Sequence, residues 1–169
     1  CMTALIEKAK KYGMAMGAIR NSTHYGIAGY WASMASRQGM IGICGTNARP
    51  SIAPTFGVEN MLGTNPLTFA IPTDEDFDFI LDCATSIYQR GKIEVYARID
   101  KDVPAGVVIG ANGESKTNAK EILEDLVKGE AALAPLGGIG EDLAGYKGYG
   151  YATVVEMLSS GLSAANFMK

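Results

Sequence analysis

Residues 67–86 read LTFAIPTDEDFDFILDCATS, and this stretch decides the fold class of the chain. Two short apolar runs, Leu67–Ile71 and Phe77–Leu81, are separated by a polar loop and predict two strands. Asp82 ends the second run, and small residues follow it as far as Ser86. The end of a strand in an α/β sheet is a common place for a ligand, and small side chains let the ligand approach the backbone.

The segments on both sides of this stretch alternate between helical and extended patterns. Helices are predicted over residues 2–12, 26–38 and 85–98, over 118–127 with Thr117 or Asn118 as its cap, and from Tyr149 onward. Further strands are predicted at Met14–Ile19 and Met40–Cys44. This order is typical of a layered α/β domain, and 169 residues are enough for one such domain with its own core.

The composition excludes several classes of function. Apolar residues make up 47% of the chain and charged residues 20%, which is typical of a globular protein. The 15 Lys and Arg residues against 18 Asp and Glu residues give a net charge of −3, so a basic surface for nucleic acid or for an anionic membrane is not expected. No run approaches the roughly 20 apolar residues that a membrane span requires, and no signal peptide is recognised.

The cysteines indicate a reducing compartment. Cys1, Cys44 and Cys83 are few and odd in number, they form no CxxC pair, and His24 is the only histidine. A zinc site would need all four of these residues at irregular spacing, so we predict no metal site and reduced cytoplasmic thiols. The chain begins with Cys inside a helical pattern, and we therefore expect it to be a segment of a longer protein.

His24 is the first candidate for chemistry. It follows the predicted strand Met14–Ile19 and stands immediately before the start of a glycine-rich helix. An imidazole in such a loop can act as a general acid or base near neutral pH. The alternative is a surface or capping histidine without a role, and the residues alone leave both interpretations open.

Asp82 also allows two interpretations. Its carboxylate can accept hydrogen bonds from the ribose hydroxyls of a nucleotide. Alternatively, it can cap a helix that starts at Ala84–Ser86. Cys83 beside it is expected to be a buried, unreactive thiol.

Two glycine-rich stretches follow, at 135–138 and 145–150, and neither is a GxGxxG or GxxxxGK[ST] phosphate motif. Lys147 in the second stretch could place its ammonium group on a phosphate, with Tyr146 or Tyr149 stacking on a ring. The alternative for Lys147 is an ordinary exposed lysine in a turn.

Six motifs taken together in their order say more than any one of them. They are RNSTHYGIAGY at 20–30, GICGTN at 42–47, GTNP at 63–66 preceded by Pro54, LDCATS at 81–86 followed by RGK at 90–92, PLGG at 135–138 and GYKGYG at 145–150. This order closely resembles the type-2 malate/L-lactate dehydrogenase family, which also contains sulfolactate and ureidoglycolate dehydrogenases. The resemblance extends across essentially the whole chain.

The resemblance implies a fold, a cofactor and an activity. The expected fold is a three-layer α/β/α domain with a mixed sheet, which is not a Rossmann fold and so agrees with the missing GxGxxG. The expected activity is hydride transfer between NAD or NADP and a small 2-hydroxy acid, malate or L-lactate, in a cytoplasmic homodimer whose active site lies between domains.

The resemblance also assigns residues. His24 matches the histidine that accepts or donates the proton. The residues matched to the cofactor site are Asn47, Asp82, Cys83, Ala84, Thr85, Ser86, Tyr146 and Lys147.

The chain also departs from the family pattern, because family members are about twice as long. The N-terminal region that carries a Ser-His-Gly motif and the final part of the family have no counterpart in this sequence. We therefore expect residues 1–169 to form a single NAD(P)-binding domain, truncated at both ends relative to the family. The alternative function is an incomplete, non-catalytic remnant of this fold that binds a cofactor or a partner without turnover.

Overall fold

A computed structural model describes residues 1–168 as an α/β fold built from short helices and strands. The helices are α1 (Met2–Tyr12), α2 (Ala28–Ser36), α3 (Arg90–Arg98), α4 (Ala119–Lys128) and α5 (Gly145–Glu156), which continues into the π-helical turn Met157–Gly161. The strands are β1 (Gly42–Gly45), β2 (Leu67–Ile71), β3 (Phe79–Cys83), β4 (Val108–Gly110) and β5 (Ala131–Leu133). The predicted α/β class is confirmed.

The stretch 67–86 forms the centre of the first sheet. Strands β1, β2 and β3 pair antiparallel in that order, with Cys44 opposite Thr68 and Thr68 opposite Asp82. These three side chains share one face of the sheet, because alternate residues of a strand point the same way. Helix α2 packs on this face, and its Ala32 carbonyl lies so close to Gly42 that no side chain would fit there.

The opposite face of the first sheet is apolar and open. Ile43, Phe79 and Leu81 point to this side, and they are 57%, 55% and 44% exposed. We call this surface the apolar sheet face. A contiguous set of exposed large apolar side chains is unusual on the solvent-facing surface of a protein and usually marks an interface.

The second half of the chain contains the main core. Strands β4 and β5 pair antiparallel, and α3, α4 and α5 contribute side chains around them. The core residues include Ile52, Leu62, Ile93, Val108, Ile122, Leu133 and Ala152, all of them 0–1% exposed. The predicted cap of α4 is confirmed at Asn118, whose side-chain oxygen accepts hydrogen bonds from the backbone N–H groups of Lys120 and Glu121, both at 3.1 Å.

Several predicted elements differ from the structure. Strand β3 lies at Phe79–Cys83 and not at 77–81, and α5 begins at Gly145 and not at Tyr149, so Lys147 lies in a helix and not in a turn. Met14–Ile19 is not a strand but an irregular segment with Met14 80% exposed, since an apolar run forms a strand only where another strand pairs with it. The helix predicted over 85–98 begins only at Arg90, because residues 85–87 pair instead with the backbone of 134–136. Strands β4 and β5 are three residues each, too short for a periodic pattern.

The strand directions also correct the expectation of a mixed sheet. Within residues 1–168 both sheets are antiparallel, and the parallel pairing is limited to an isolated bridge between Ile52 and Leu133. The antiparallel order follows from the short polar loop between β2 and β3, since a parallel pair would need a long crossover. The three-layer arrangement of the family remains a prediction.

Candidate active site

Two segments predicted to bind the cofactor meet at Leu136. The backbone N–H of Leu136 donates to the carbonyl of Thr85 at 2.8 Å, and the carbonyl of Leu136 accepts from Gly148 N–H at 3.1 Å. A further bond of 3.1 Å runs from Ile87 N–H to the carbonyl of Ala134. The segment 82–86 and the start of α5 are thus joined through a single residue, although they are far apart in the sequence.

The glycines of the GYKGYG motif have a packing role. A Cβ atom at Gly148 would overlap the backbone of Leu136, and one at Gly145 would overlap the carbonyl of Gly138. Only glycine lets the start of α5 approach the 135–138 loop this closely. Tyr146 and Lys147 between these glycines are exposed, and the ammonium of Lys147 lies 5.9 Å from the centre of the Tyr146 ring.

A cavity of about 600 Å³ opens beside the segment 83–92. Its lining includes Cys83, Ala84 and Ser86 of the predicted cofactor segment, together with Tyr88, Gln89, Lys92 and Leu136. The predicted residues His24, Asn47, Asp82, Thr85, Tyr146 and Lys147 are not part of this lining. The structure therefore gathers three of the predicted site residues around one concave surface. Cys83 is an exposed wall residue and not the buried thiol that we expected.

Ser86 is the most informative residue of this cavity. Its side chain is 95% buried, since only 5% of the residue is exposed, yet its hydroxyl has no hydrogen-bond partner. A buried hydroxyl without a partner costs free energy, and Ser86 is also one of the residues that line the cavity, so it is a candidate to bind a ligand there.

The start of α3 adds positive charge to the cavity. Gln89 is the residue before the helix, and Lys92 lies in its first turn. The free N–H groups and the dipole of a helix N-terminus favour anions, and the ammonium of Lys92 acts in the same direction. Lys92 lies in the middle of the predicted helix 85–98 and was not predicted as a site residue, although the RGK motif at 90–92 contains it.

Asp82 connects the first sheet to α2. Its Oδ2 accepts a hydrogen bond of 2.7 Å from Gly29 N–H in the first turn of α2, and its Oδ1 accepts one of 2.8 Å from the hydroxyl of Thr68. The interpretation as a cap of a helix at Ala84–Ser86 is wrong, because those residues are not helical. Asp82 caps a different helix, 53 residues away in the chain.

This capping role predicts a loss of stability when Asp82 is replaced by alanine. Both carboxylate oxygens accept hydrogen bonds within the protein, so we expect the free energy of unfolding to fall by about 1–2 kcal/mol. Chemical denaturation measures the change, and Asp102→Ala at an exposed site is the control. A loss no greater than that of the control would show that the bonds to Gly29 and Thr68 do not stabilise the fold.

His24 lies in an exposed irregular segment before α2. Its Nδ1 accepts a hydrogen bond of 3.1 Å from Gly26 N–H, which leaves Nε2 as the nitrogen that can face a ligand. The segment is attached by Trp31, whose indole N–H donates to the carbonyl of Tyr25 at 2.8 Å. Gly29, which is bonded to Asp82, lies five residues after His24 in the chain, so the segment that carries His24 leads directly into the helix that packs on the first sheet.

A small, partly buried polar cluster lies between this segment and the sheet. The hydroxyl of Tyr25 lies beside the Cys44 thiol, and burial raises the pKa of this phenol above its ordinary value, with further increases from Cys44 and Asp82. Burial also raises the pKa of the Cys44 thiol, although Tyr25 acts in the opposite direction. Both groups are therefore neutral at physiological pH.

Asn47 lies away from the cavity and next to Glu156. The Asn47 side-chain amide donates to Glu156 Oε1 at 3.4 Å, and the amide of Asn65 donates to Oε2 at 2.9 Å. These are the last residues of the two Gly-Thr-Asn copies in the sequence. Glu156 was not predicted as a site residue, and the repeated tripeptide is the one feature of the sequence that links the two asparagines.

Two absences hold for residues 1–168. No group of three or more His, Cys, Asp or Glu side chains is arranged to hold a metal ion. In the same part of the chain, none of the helices has the length and apolar character to cross a membrane.

Comparison with known proteins identifies the family. The family model described as malate/L-lactate dehydrogenase matches residues 1–169. The chain belongs to the malate/L-lactate dehydrogenase family. Among curated proteins, it is 48% identical to the malate dehydrogenase of Pyrococcus abyssi over 168 residues. This alignment covers 99% of this chain and 45% of the relative. The malate/(S)-sulfolactate dehydrogenase of Methanothermus fervidus is 36% identical over 166 residues, covering 98% of this chain and 45% of the relative.

Solved structures of dehydrogenases support the family assignment. The malate dehydrogenase of Entamoeba histolytica superimposes with a TM-score of 0.93 at 51% identity and covers 99% of this chain. The sulfolactate dehydrogenase of Methanocaldococcus jannaschii gives a TM-score of 0.84 at 38% identity, also over 99% of this chain. The chain spans 46% and 44% of these two proteins, so it corresponds to less than half of each.

Proposed function

We propose that the full-length protein is an oxidoreductase that transfers a hydride between NAD or NADP and a small 2-hydroxy acid, malate or L-lactate. Residues 1–169 would form its single NAD(P)-binding domain, in a cytoplasmic homodimer. The observation that carries the proposal is the buried, unpartnered hydroxyl of Ser86 in the wall of the cavity at the start of α3. Family membership supports the same class of reaction.

The residues around the cavity suit a dinucleotide. Such a cofactor has an anionic pyrophosphate and ribose hydroxyls, and the nicotinamide supplies the hydride chemistry when it is bound. Lys92 and the start of α3 would hold the negative charge, and the hydroxyl of Ser86 would hydrogen-bond to the ligand. Ala84 leaves room at the wall for close approach. Thr85 has another role, since its hydroxyl already donates to the carbonyls of Thr64 and Asn65.

His24 is the group that we propose to hold and move the proton. Oxidation of a 2-hydroxy acid requires a base for the hydroxyl proton, and reduction of a 2-oxo acid requires an acid for the developing alkoxide. Among the side chains of residues 1–168, His24 carries the single imidazole. While Nδ1 accepts the bond from Gly26 N–H, the neutral ring carries its hydrogen on Nε2, so His24 would take up the hydroxyl proton only once that bond is released and a ring nitrogen is free to accept it.

Lys92→Met tests the cofactor site. We expect the Kd for NADH or NADPH, whichever the full-length protein binds more tightly, to rise about 3- to 10-fold, since a charge-assisted contact at a solvent-exposed position is lost. Isothermal titration measures the Kd. Ser86→Ala is expected to weaken binding in the same direction.

Lys128→Met is the matched control, because it removes the same charge from the last turn of α4, outside the cavity lining. Equal Kd values for the wild type, Lys92→Met and Ser86→Ala would contradict this assignment of the cavity.

A second candidate function is binding without turnover. It is favoured by the apolar sheet face, because an incomplete remnant of the fold would leave apolar side chains uncovered. The two functions differ in an assay of the full-length protein with malate or L-lactate and NAD or NADP, followed by nicotinamide absorbance. Sustained formation of reduced nicotinamide supports the dehydrogenase, and nucleotide binding without turnover supports the remnant.

A further inference from the structure

Glu156 at the end of α5 is a buried carboxylate without a cationic partner among residues 1–168. It is 2% exposed and accepts all of its hydrogen bonds from neutral groups. Asn65 donates to Oε2 at 2.9 Å, and three donors converge on Oε1, namely Ser160 Oγ at 2.9 Å, Met168 N–H at 3.2 Å and Asn47 Nδ2 at 3.4 Å. A buried carboxyl group without an ionic partner is tolerated only where hydrogen bonds satisfy it, and those bonds fix a particular arrangement of the surrounding chain.

The arrangement that Glu156 fixes is centred on Asn65. This residue is completely buried and has a φ of 32°, which is uncommon for a residue with a side chain. Its Nδ2 also donates to the carbonyl of Ala152 at 3.0 Å, and its Oδ1 accepts from Ala48 N–H at 3.0 Å. Every hydrogen-bonding atom of the amide is therefore used, and the loop 63–65 is held against α5.

The same loop supports the wall of the cavity. The hydroxyl of Thr85 donates to the carbonyls of Thr64 at 3.1 Å and Asn65 at 3.0 Å. The backbone N–H of Thr85 also donates to the carbonyl of Thr64, at 2.9 Å. Ser86 is the next residue, so a continuous series of hydrogen bonds leads from Glu156 through Asn65 and Thr85 to the unpartnered hydroxyl.

We infer that Glu156 is a positioning residue for the cofactor site. It does not line the cavity, but it holds the loop 63–65 in the conformation that fixes Thr85 and thereby Ser86. The ligand in this inference is the nicotinamide dinucleotide, and that part rests on the function proposed above. The hydrogen-bonded arrangement exists independently of any ligand, which allows the two to be tested separately.

Glu156→Gln in the full-length protein is the first test. A carboxamide has only one accepting oxygen, and three donors converge on Oε1, so the new NH₂ group must face the Asn65 side chain. In the absence of nucleotide, we expect amide hydrogen exchange at Thr85 to become at least about 10-fold faster, because its partner loop is released. The amide of Ile122, which donates to Asn118 in α4, is the internal reference and should change little.

The second measurement is the nucleotide Kd, for which we expect an increase of about 5- to 30-fold in Glu156→Gln. In a double-mutant cycle with Ser86→Ala, the increase in Kd of the double variant should be smaller than the product of the two single increases. Both substitutions act on the same contact, so their effects should not multiply. Lys116→Met is the control for a general loss of stability. It removes the 2.6 Å ion pair with Asp125 on α4 and leaves the loop 63–65 intact.

The outcomes separate the inference from the proposed function. Unchanged exchange at Thr85 in folded Glu156→Gln, or multiplicative effects in the cycle, would overturn the positioning role. If Glu156→Gln does not fold, Thr85→Val removes the hydroxyl that bonds to the carbonyls of Thr64 and Asn65. An unchanged nucleotide Kd in that variant would also overturn the positioning role of Glu156. A wild-type protein that binds neither NADH nor NADPH rejects the proposed function, while exchange at Thr85 still decides whether Glu156 fixes the loop.

Discussion

Replacing His24 by alanine in the full-length protein is expected to lower the turnover number for malate oxidation by about 10²–10⁴-fold. Removal of a general acid or base raises the free energy of the transition state. Because His24 is exposed, we expect the variant to fold like the wild type. Steady-state kinetics measure the effect, and the Kd for the nucleotide should stay near the wild-type value because His24 is outside the cavity lining.

His24→Gln distinguishes proton transfer from a hydrogen-bonding role. An amide keeps a polar group at this position but cannot exchange a proton near neutral pH, so we expect it to be as inactive as alanine. A rate above about a tenth of the wild type in either variant would remove His24 from the mechanism.

Gly148→Ala is expected to destabilise the protein by about 3 kcal/mol or more, near the upper end for overpacking. The added methyl group would overlap the backbone of Leu136, which cannot rotate away as a side chain would. Chemical denaturation with a far-ultraviolet signal measures the loss. Because Leu136 also pairs with Thr85, we expect weaker nucleotide binding in any folded fraction.

Gly150→Ala is the matched control on the same helix. A Cβ atom there meets nothing within 4 Å, and alanine is a better helix former than glycine by about 1 kcal/mol. We therefore expect Gly150→Ala to be neutral or stabilising. Similar stability of the Gly148 and Gly150 variants would contradict the close packing of α5 against the 135–138 loop.

Local patterns predicted the parts of the fold that local physics determines. The apolar runs at β2 and β3 and the cap at Asn118 depend on neighbouring residues, and they were found. The run Met14–Ile19 has the same apolar character, but strand formation depends on a partner that the sequence does not reveal. Extended pairing of residues 85–87 likewise depends on 134–136, so the start of α3 was placed too early.

The site shows the same division between local and distant contacts. Ser86 was selected from the family motif, and the structure adds what the motif does not contain, namely its burial and its unpartnered hydroxyl. The partner of Asp82 could not be predicted, because Gly29 lies 53 residues away. Glu156 resembles an ordinary acidic residue at a helix end, and only the folded chain brings Asn47 and Asn65 to it.

In the function proposed above, the hydrogen bond between Asp82 and Gly29 would affect the order in which ligands bind. Asp82 precedes Cys83 in the cavity wall, and Gly29 follows the exposed segment that carries His24. A dinucleotide that stiffens the wall would also restrict this segment, so part of the entropy of ordering it is lost before the hydroxy acid arrives. The acid would then bind more tightly to the binary complex than to the free protein, which favours a sequential mechanism with the nucleotide first.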